Sequence, residues 1–131
     1  MPFDGISFKE GDKVKLTVTA YSKTSGHAKI ENLTTRQSAE QKVTAPAGSE
    51  LCMQEAEWIV EDFGIIENGK TKPVPFAYFT PITFEDAYAK KKDGKTYGLK
   101  GASTIDLVAR NNTILADAKI NGKTVTVVRT W

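Results

Sequence analysis

Short stretches in which apolar and polar residues alternate dominate the first third of the chain. Residues 13–21 alternate cleanly, which predicts a half-buried strand. Its apolar members are Val14, Leu16, Val18 and Ala20. Turn residues separate this stretch from a second predicted strand at 27–33, so the two form a predicted hairpin. A more polar stretch at 34–43 fits an exposed edge strand.

The last third of the chain continues the same pattern. Alternation of apolar residues predicts strands at 105–109 and 114–120, and then a final strand that runs towards Trp131. Asn111-Asn112 and Asn121-Gly122 lie between these stretches and predict turns.

The middle of the chain carries turn signals and prolines. Asn68-Gly69 is a strong hairpin signal. Residues 74–84 hold half of the phenylalanines, but Pro75 and Pro81 interrupt them. Because proline lacks an N–H donor, we expect both at edges, bulges or strand ends.

Residues 51–63 are ambiguous between helix and strand. A helix would place Met53, Ala56, Val60 and Phe63 on one face. A strand would direct alternate residues to opposite faces, with Ala56, Trp58 and Val60 against Glu57, Ile59 and Glu61. The β-branched and aromatic run at 58–60 favours the strand, which is our prediction.

Many short strands between Gly, Pro and Asn turns predict an all-β protein built as an antiparallel β-sandwich. The length of 131 residues and the lack of a linker-like segment predict a single domain over residues 1–131.

Composition excludes several classes of function. The net charge of +2 is too small to indicate nucleic-acid binding, and no apolar run approaches the roughly 20 residues that span a membrane. The N-terminus lacks the pattern of a signal peptide. Lysines cluster at 90–92 and at Lys95, but Asp93-Gly94 lies among them, which favours a solvated turn.

Few residues offer nucleophilic or metal chemistry. Cys52 and His27 are the only residues of their kinds, which excludes an internal disulfide and metal sites rich in Cys or His. A catalytic pair of these two residues is disfavoured, and there is no phosphate-binding loop, so we predict neither cofactor nor metal. Asn32 and Asn111 begin Asn-x-Thr glycosylation patterns, which we interpret as chance occurrences.

The carboxylates of residues 51–63 are more informative. On a strand, Glu57 and Glu61 would share a face about 13 Å apart, beyond the roughly 5–9.5 Å of paired glycosidase carboxylates. Acid–base work by Glu61 would therefore need a partner from another strand. The alternative is that both glutamates lie on a solvated outer face, which the pattern alone favours.

Four short sequence motifs, found in this order along the chain, indicate a specific protein family. They are a strand phrase ending T-V-T-A, E-N-L-T-T, A-E-W-I-V-E-D-F and V-P-F-A-Y-F. Together they resemble the glutamic peptidases called eqolisins, from about Ile6 to the C-terminus. The resemblance implies a concanavalin-like sandwich of two antiparallel sheets, complete or with strands missing.

The resemblance also implies a secreted endopeptidase that acts on polypeptides in acid. In this family a glutamate activates water and a glutamine stabilises the oxyanion. By position, the glutamate is Glu61. A carboxylate of ordinary pKa is ionised above about pH 4, so it can act as a base in mild acid.

Departures from the family pattern are equally clear. The family's glutamine lies in an upstream half that has no counterpart here, and none of Gln37, Gln41 and Gln54 lies in a matching motif. The resemblance implies that Cys52 corresponds to a cysteine whose bridge partner lies in that upstream half. The basic charge balance is unusual for enzymes of acidic media.

Three interpretations stay open at this point. The chain is the C-terminal portion of a glutamic peptidase, which we expect to be inactive without an N-terminal partner chain. Or it is a shortened relative, a non-catalytic binding or structural module. Or two copies pair as a homodimer and cover each other's apolar faces and edges.

Overall fold

The computed structural model describes residues 3–130, and every regular element in that part of the chain is a β-strand. The strands are β1 (Val14–Ala20), β2 (Ser25–Asn32), β3 (Gln37–Thr44), β4 (Gly64–Glu67), β5 (Lys70–Pro73), β6 (Ile82–Phe84), β7 (Ala89–Lys90), β8 (Thr96–Tyr97), β9 (Leu107–Val108), β10 (Ile114–Asn121) and β11 (Thr124–Arg129). All their pairings are antiparallel. The chain divides into two compact units, Met1–Glu55 and Ala56–Trp131. The single domain over residues 1–131 stays a prediction.

The first unit is a three-stranded sheet in the order β1-β2-β3. Its register places Leu16 opposite Ile30, and Ile30 opposite Ala39, so these three side chains share a face. The next residues along each strand point to the opposite face, where Lys15 lies opposite Glu31. The sheet therefore has one apolar face and one charged face.

The apolar face of this sheet is open to solvent on its β1 side. Leu16 is 61% exposed and Val18 is 83% exposed. The predicted strand over residues 13–21 is confirmed, but its expected half-burial is wrong. The reason is that the first unit contains a single sheet and provides no second layer over β1.

Asn32, the last residue of β2, organises the base of this sheet. It is fully buried, and its amide Nδ2 donates to the carbonyl of Ser7 at 3.0 Å and to Asp12 Oδ2 at 2.6 Å. Its Oδ1 accepts from the backbone N–H groups of Thr34 and Thr35 at 3.0 and 3.1 Å. One side chain thus ties the N-terminal loop to the β2–β3 turn.

The second unit contains a four-stranded sheet in the order β6-β11-β10-β9. Its small core contains the cluster of Ala87, Leu99 and Val125, and Ala116 and Val127 are buried as well, each residue being less than a tenth exposed. Val125 lies opposite both Phe84 and Ile120, which pack against this core. Alternation along β11 therefore directs Val125 and Val127 inward.

Two separate hairpins complete this unit: β4 pairs with β5, and β7 with β8. Asn68 and Gly69 connect the first pair with φ values of 52° and 72°, the left-handed backbone that a type I′ turn requires. The lysine-rich turn falls between the second pair, where Lys91 and Lys95 lie over the ring of Tyr97 at 5.1 and 5.2 Å.

Most strand predictions are confirmed. The hairpin of β1 and β2, the edge position of β3, the turns at Asn68-Gly69 and Asn121-Gly122, and the strands around them are all present. Pro81 directly precedes β6, as expected of a strand-end proline. The predicted terminal strand position of Trp131 lies outside the described residues.

The predicted strand at residues 51–63 is wrong. This stretch is neither strand nor helix. Among the residues that the structure describes, no backbone hydrogen bond joins residues 52–62 to another segment. A strand is defined by its ladder, so a sequence of strand composition without a partner strand stays irregular.

We predict that Asn32→Ala destabilises the first unit by about 2–4 kcal/mol, because four hydrogen bonds are lost and buried donors stay unsatisfied. Urea denaturation followed by circular dichroism measures this. Asn111→Ala, which removes one exposed hydrogen bond, should cost about 1 kcal/mol or less. Equal costs for the two variants would contradict the role of Asn32.

A second prediction concerns acid stability. The hydrogen bond from Lys29 Nζ, at 3.0 Å, is the main cause that holds the pKa of Glu31 below its usual range, and the charges of Lys29 and Lys15 add to it while burial opposes it. Because the folded pKa is lowered, the stabilisation is present above the unfolded pKa and is lost as the pH falls through the folded pKa.

We therefore expect Glu31→Gln to lower the urea midpoint near neutral pH and to flatten its decline in acid. The midpoint is compared with that of wild type between about pH 6 and pH 2. Glu10→Gln, which alters an exposed carboxylate of the same unit, is the control. Identical pH profiles for wild type and Glu31→Gln would contradict the prediction.

Candidate active site

The segment that carries Glu61 alternates in burial even though it has no strand partner. Trp58 and Val60 are half-buried, whereas Glu57, Ile59 and Glu61 are exposed. The two faces expected from the sequence are therefore present at these five positions. The interpretation that both glutamates lie on a solvated face agrees with this exposure.

Both ends of this segment are fixed. Trp58 packs against the buried cluster of Ala87, Leu99 and Val125. At the other end, the carbonyl of Phe63 accepts a hydrogen bond from the backbone N–H of Val74 at 3.3 Å, next to the β4–β5 hairpin. The carboxylate of Glu61 is thus held on the outer side of a short anchored stretch.

Glu61 has one part of the chemistry that peptide hydrolysis needs. A carboxylate open to solvent can accept a proton from an attacking water. The reaction also needs a hydrogen-bond donor aimed at the developing oxyanion. Gln37 has a structural role instead, because its Oε1 accepts from Ser7 Oγ at 3.2 Å and from Thr35 Oγ1 at 3.1 Å, within the first unit.

The other candidate residues have separate surroundings. His27 Nε2 lies 3.6 Å from Glu40 Oε2, and its ring stacks on Tyr21 at 6.5 Å. Cys52 is an exposed free thiol. Between residues 3 and 130 there is no group of three or more His, Cys, Asp or Glu side chains placed to hold a metal ion, and no helix that could span a membrane.

One aromatic contact was not predicted from the sequence. The guanidinium of Arg129 lies 4.8 Å from the ring centre of Tyr78, which is 82% exposed. The rings of Phe76 and Phe79 meet edge to face at 5.4 Å. Arg129 and Tyr78 lie about fifty residues apart in the chain, so no local pattern could have indicated their contact.

Comparison with known sequences gives consistent matches over almost the whole chain. The profile of the Peptidase A4 family matches residues 1–129. Aspergillopepsin-2 of Aspergillus niger is 41% identical over 125 residues, which is 95% of this chain and 42% of that protein. Scytalidopepsin B of Scytalidium lignicola is 38% identical over 126 residues, or 94% of this chain and 48% of the relative. The chain thus spans less than half the length of these curated relatives.

Solved structures agree with the sequence matches. Aspergilloglutamic peptidase from Aspergillus niger superposes with a TM-score of 0.83 at 40% identity, covering 98% of this chain and 72% of that chain. Scytalido-glutamic peptidase with a transition state analog inhibitor gives a TM-score of 0.87 at 33% identity, covering 98% and 63%. These structures have a β-sandwich fold, so the predicted fold class and the resemblance to glutamic peptidases are confirmed.

The alternation at residues 57–61 makes a testable prediction. Trp58→Ala should destabilise the second unit by about 2–3 kcal/mol, less than the roughly 3–5 kcal/mol of a fully buried aromatic residue, because Trp58 is only half-buried. Ile59→Ala should change stability by about 0.5 kcal/mol or less, since Ile59 is exposed. The urea midpoints of the two variants test this, and a larger loss for Ile59→Ala would contradict the assigned faces.

Proposed function

The chain belongs to the Peptidase A4 family, and on that premise we propose that it is the general-base portion of an acid-acting glutamic endopeptidase. It carries Glu61 as the base and is inactive alone, because it lacks the glutamine that completes the pair. The observation that carries this proposal is the A-E-W-I-V-E-D-F segment, anchored at Trp58 and Phe63 with Glu61 facing solvent.

In this mechanism the carboxylate of Glu61 takes a proton from a water molecule, and the water oxygen attacks the carbonyl carbon of a peptide bond. The negative charge that develops on the carbonyl oxygen needs a fixed amide donor. The family resemblance assigns that donor to a glutamine outside this chain. The chain alone would therefore lack the stabilisation of the oxyanion.

Among residues 3–130, no backbone hydrogen bond joins residues 52–62 to another segment, which supports the need for an added strand. A β-rich segment without ladder partners leaves a row of N–H and C=O groups that a neighbouring strand can pair with. The same segment carries Glu61. A strand supplied by a partner could therefore order this segment and bring a second catalytic side chain beside the glutamate in one step.

Surface area supports a permanent partner rather than a transient one. The chain exposes 10884 Å². Two separate compact units of this size would together expose only about 8,200 Å², so the excess lies within the units themselves. Covering about 2,700 Å² here and a similar area on the partner gives roughly 5,400 Å², in the range of obligate complexes.

We assign the covering layer to polypeptide of the kind that the longer relatives have outside the matched part. It would cover the apolar face of β1 and contribute the glutamine, and the substrate would be a polypeptide. We propose extracellular secretion on the basis of the same family resemblance. A second copy of this chain could cover the apolar face, but it would not supply the family's glutamine.

The proposal predicts that peptidase activity appears only when the chain is combined with the polypeptide that supplies the glutamine. The chain is refolded with the part of aspergillopepsin-2 that lies outside the matched region. A stable complex in size-exclusion chromatography and cleavage of a denatured protein in acid are expected. Glu61→Gln should lower this cleavage by a factor of about 10²–10⁴, the usual contribution of a general base. Glu57→Gln, which alters an exposed carboxylate on the same segment, should leave the rate nearly unchanged.

Other outcomes would point elsewhere. Cleavage by the isolated 131-residue chain would show that one of its own residues replaces the glutamine. A stable, inactive monomer that does not bind the added polypeptide would favour a binding or structural module. A homodimer in size-exclusion chromatography would favour self-association.

A further inference from the structure

The chain contains two Asn-x-Thr motifs, Asn32-Leu33-Thr34 and Asn111-Asn112-Thr113. This pattern is the acceptor for N-linked glycans in proteins that pass through a eukaryotic secretory route. The sugar is attached to the side-chain nitrogen Nδ2 of the asparagine. The structure allows a comparison of the two motifs atom by atom.

The first motif is already engaged in the fold. Asn32 is fully buried, and its Nδ2 donates both hydrogens, to Ser7 and Asp12. The hydroxyl of Thr34 accepts a hydrogen bond from the backbone N–H of Lys13 at 2.9 Å. A glycan on Asn32 would replace one of these bonds and force a bulky polar group into a buried position. A folded first unit therefore excludes a glycan at Asn32.

The second motif is open. Asn111 and Thr113 are exposed in the turn between β9 and β10. Asn111 Oδ1 accepts from the backbone N–H of Thr113 at 3.1 Å, and two backbone hydrogen bonds between Ala109, Asn112 and Thr113 close the turn. Neither Asn111 Nδ2 nor the Thr113 hydroxyl has a partner among residues 3–130, so a sugar on Nδ2 removes no hydrogen bond seen here.

We propose that Asn111, and not Asn32, is an N-glycosylation site of this chain when it passes through a eukaryotic secretory route. The donor is a lipid-linked oligosaccharide pyrophosphate. The bond between Nδ2 and the sugar C1 forms as the bond from C1 to the pyrophosphate oxygen breaks. Nδ2 loses one proton, and the lipid pyrophosphate leaves.

The proposal rests on the secretion named in the proposed function, but not on peptidase activity. The proposal also limits the surface that a partner polypeptide can cover. A glycan at the β9–β10 turn would keep that turn in solvent, so the polypeptide that covers β1 and pairs with residues 52–62 would have to leave this turn free.

The test uses the full chain, produced in yeast behind a secretion leader. Protein that resists limited proteolysis is collected from both medium and cells, so poor secretion does not hide the result. An N-glycosidase that converts each glycosylated asparagine to aspartate is applied, and peptide mass spectrometry reads both motifs. We expect modification at Asn111 and none at Asn32.

Substitutions in the Asn111 motif identify the glycosylated residue without selecting for folded protein. Asn111→Gln and Thr113→Ala should each abolish the glycosidase-sensitive mobility shift, whereas Thr113→Ser, which keeps the hydroxyl, should retain it. A secreted glycoprotein of the same host controls for glycosylation capacity. Unmodified Asn111 in wild type, or a glycan on Asn32 in the protease-resistant fraction, would overturn the proposal. Glycan occupancy is read without any assay of cleavage, so its failure and the failure of the proposed peptidase are distinguishable.

Discussion

A sheet with one apolar face needs a second layer, because hydrophobic burial on that face is what stabilises the strands against the loss of chain entropy. The sheet of β1, β2 and β3 has such a face, and Leu16 and Val18 on it face solvent. The second unit meets the same requirement with a few buried side chains, which are Ala87, Leu99, Ala116, Val125 and Val127. Its β4–β5 hairpin includes Ile66, which is 81% exposed. Both units therefore have exposed apolar side chains that further apolar contacts would stabilise.

The segment that carries the candidate catalytic residue also needs a partner. Glu61 lies on a segment whose side chains already alternate between two faces, but whose backbone has no ladder partner in the described part of the chain. Trp58 holds one end through the core, and Phe63 holds the other through Val74. A partner strand would therefore find a preformed segment to pair with. In the proposed enzyme, covering the fold and completing the catalytic pair are one event.

The two asparagine motifs illustrate how surroundings decide the use of identical residue patterns. Asn32 ends a long strand beside a loop that offers Ser7 and Asp12 as acceptors, so its amide is a structural tie. Asn111 lies at an exposed turn where only its Oδ1 is engaged. The sequence presents both as the same motif, and pattern alone favours chance occurrence for each. Burial and hydrogen bonding separate them.

Local patterns in the sequence were enough to predict β1, β2, β3, β10 and β11 and their turns, because alternation and turn residues act over a few positions. The phrase around Glu61 was also enough to indicate the family. The irregular backbone of residues 51–63 could not be predicted, since the same β-branched residues form a strand only when a neighbouring strand supplies its N–H and C=O groups. The exposure of Leu16, the contact of Tyr78 with Arg129 and the burial of Asn32 likewise depend on residues far apart in the chain. Side-chain alternation is local and was readable from the sequence, whereas partners and burial are set by distant segments and only the tertiary structure decided them.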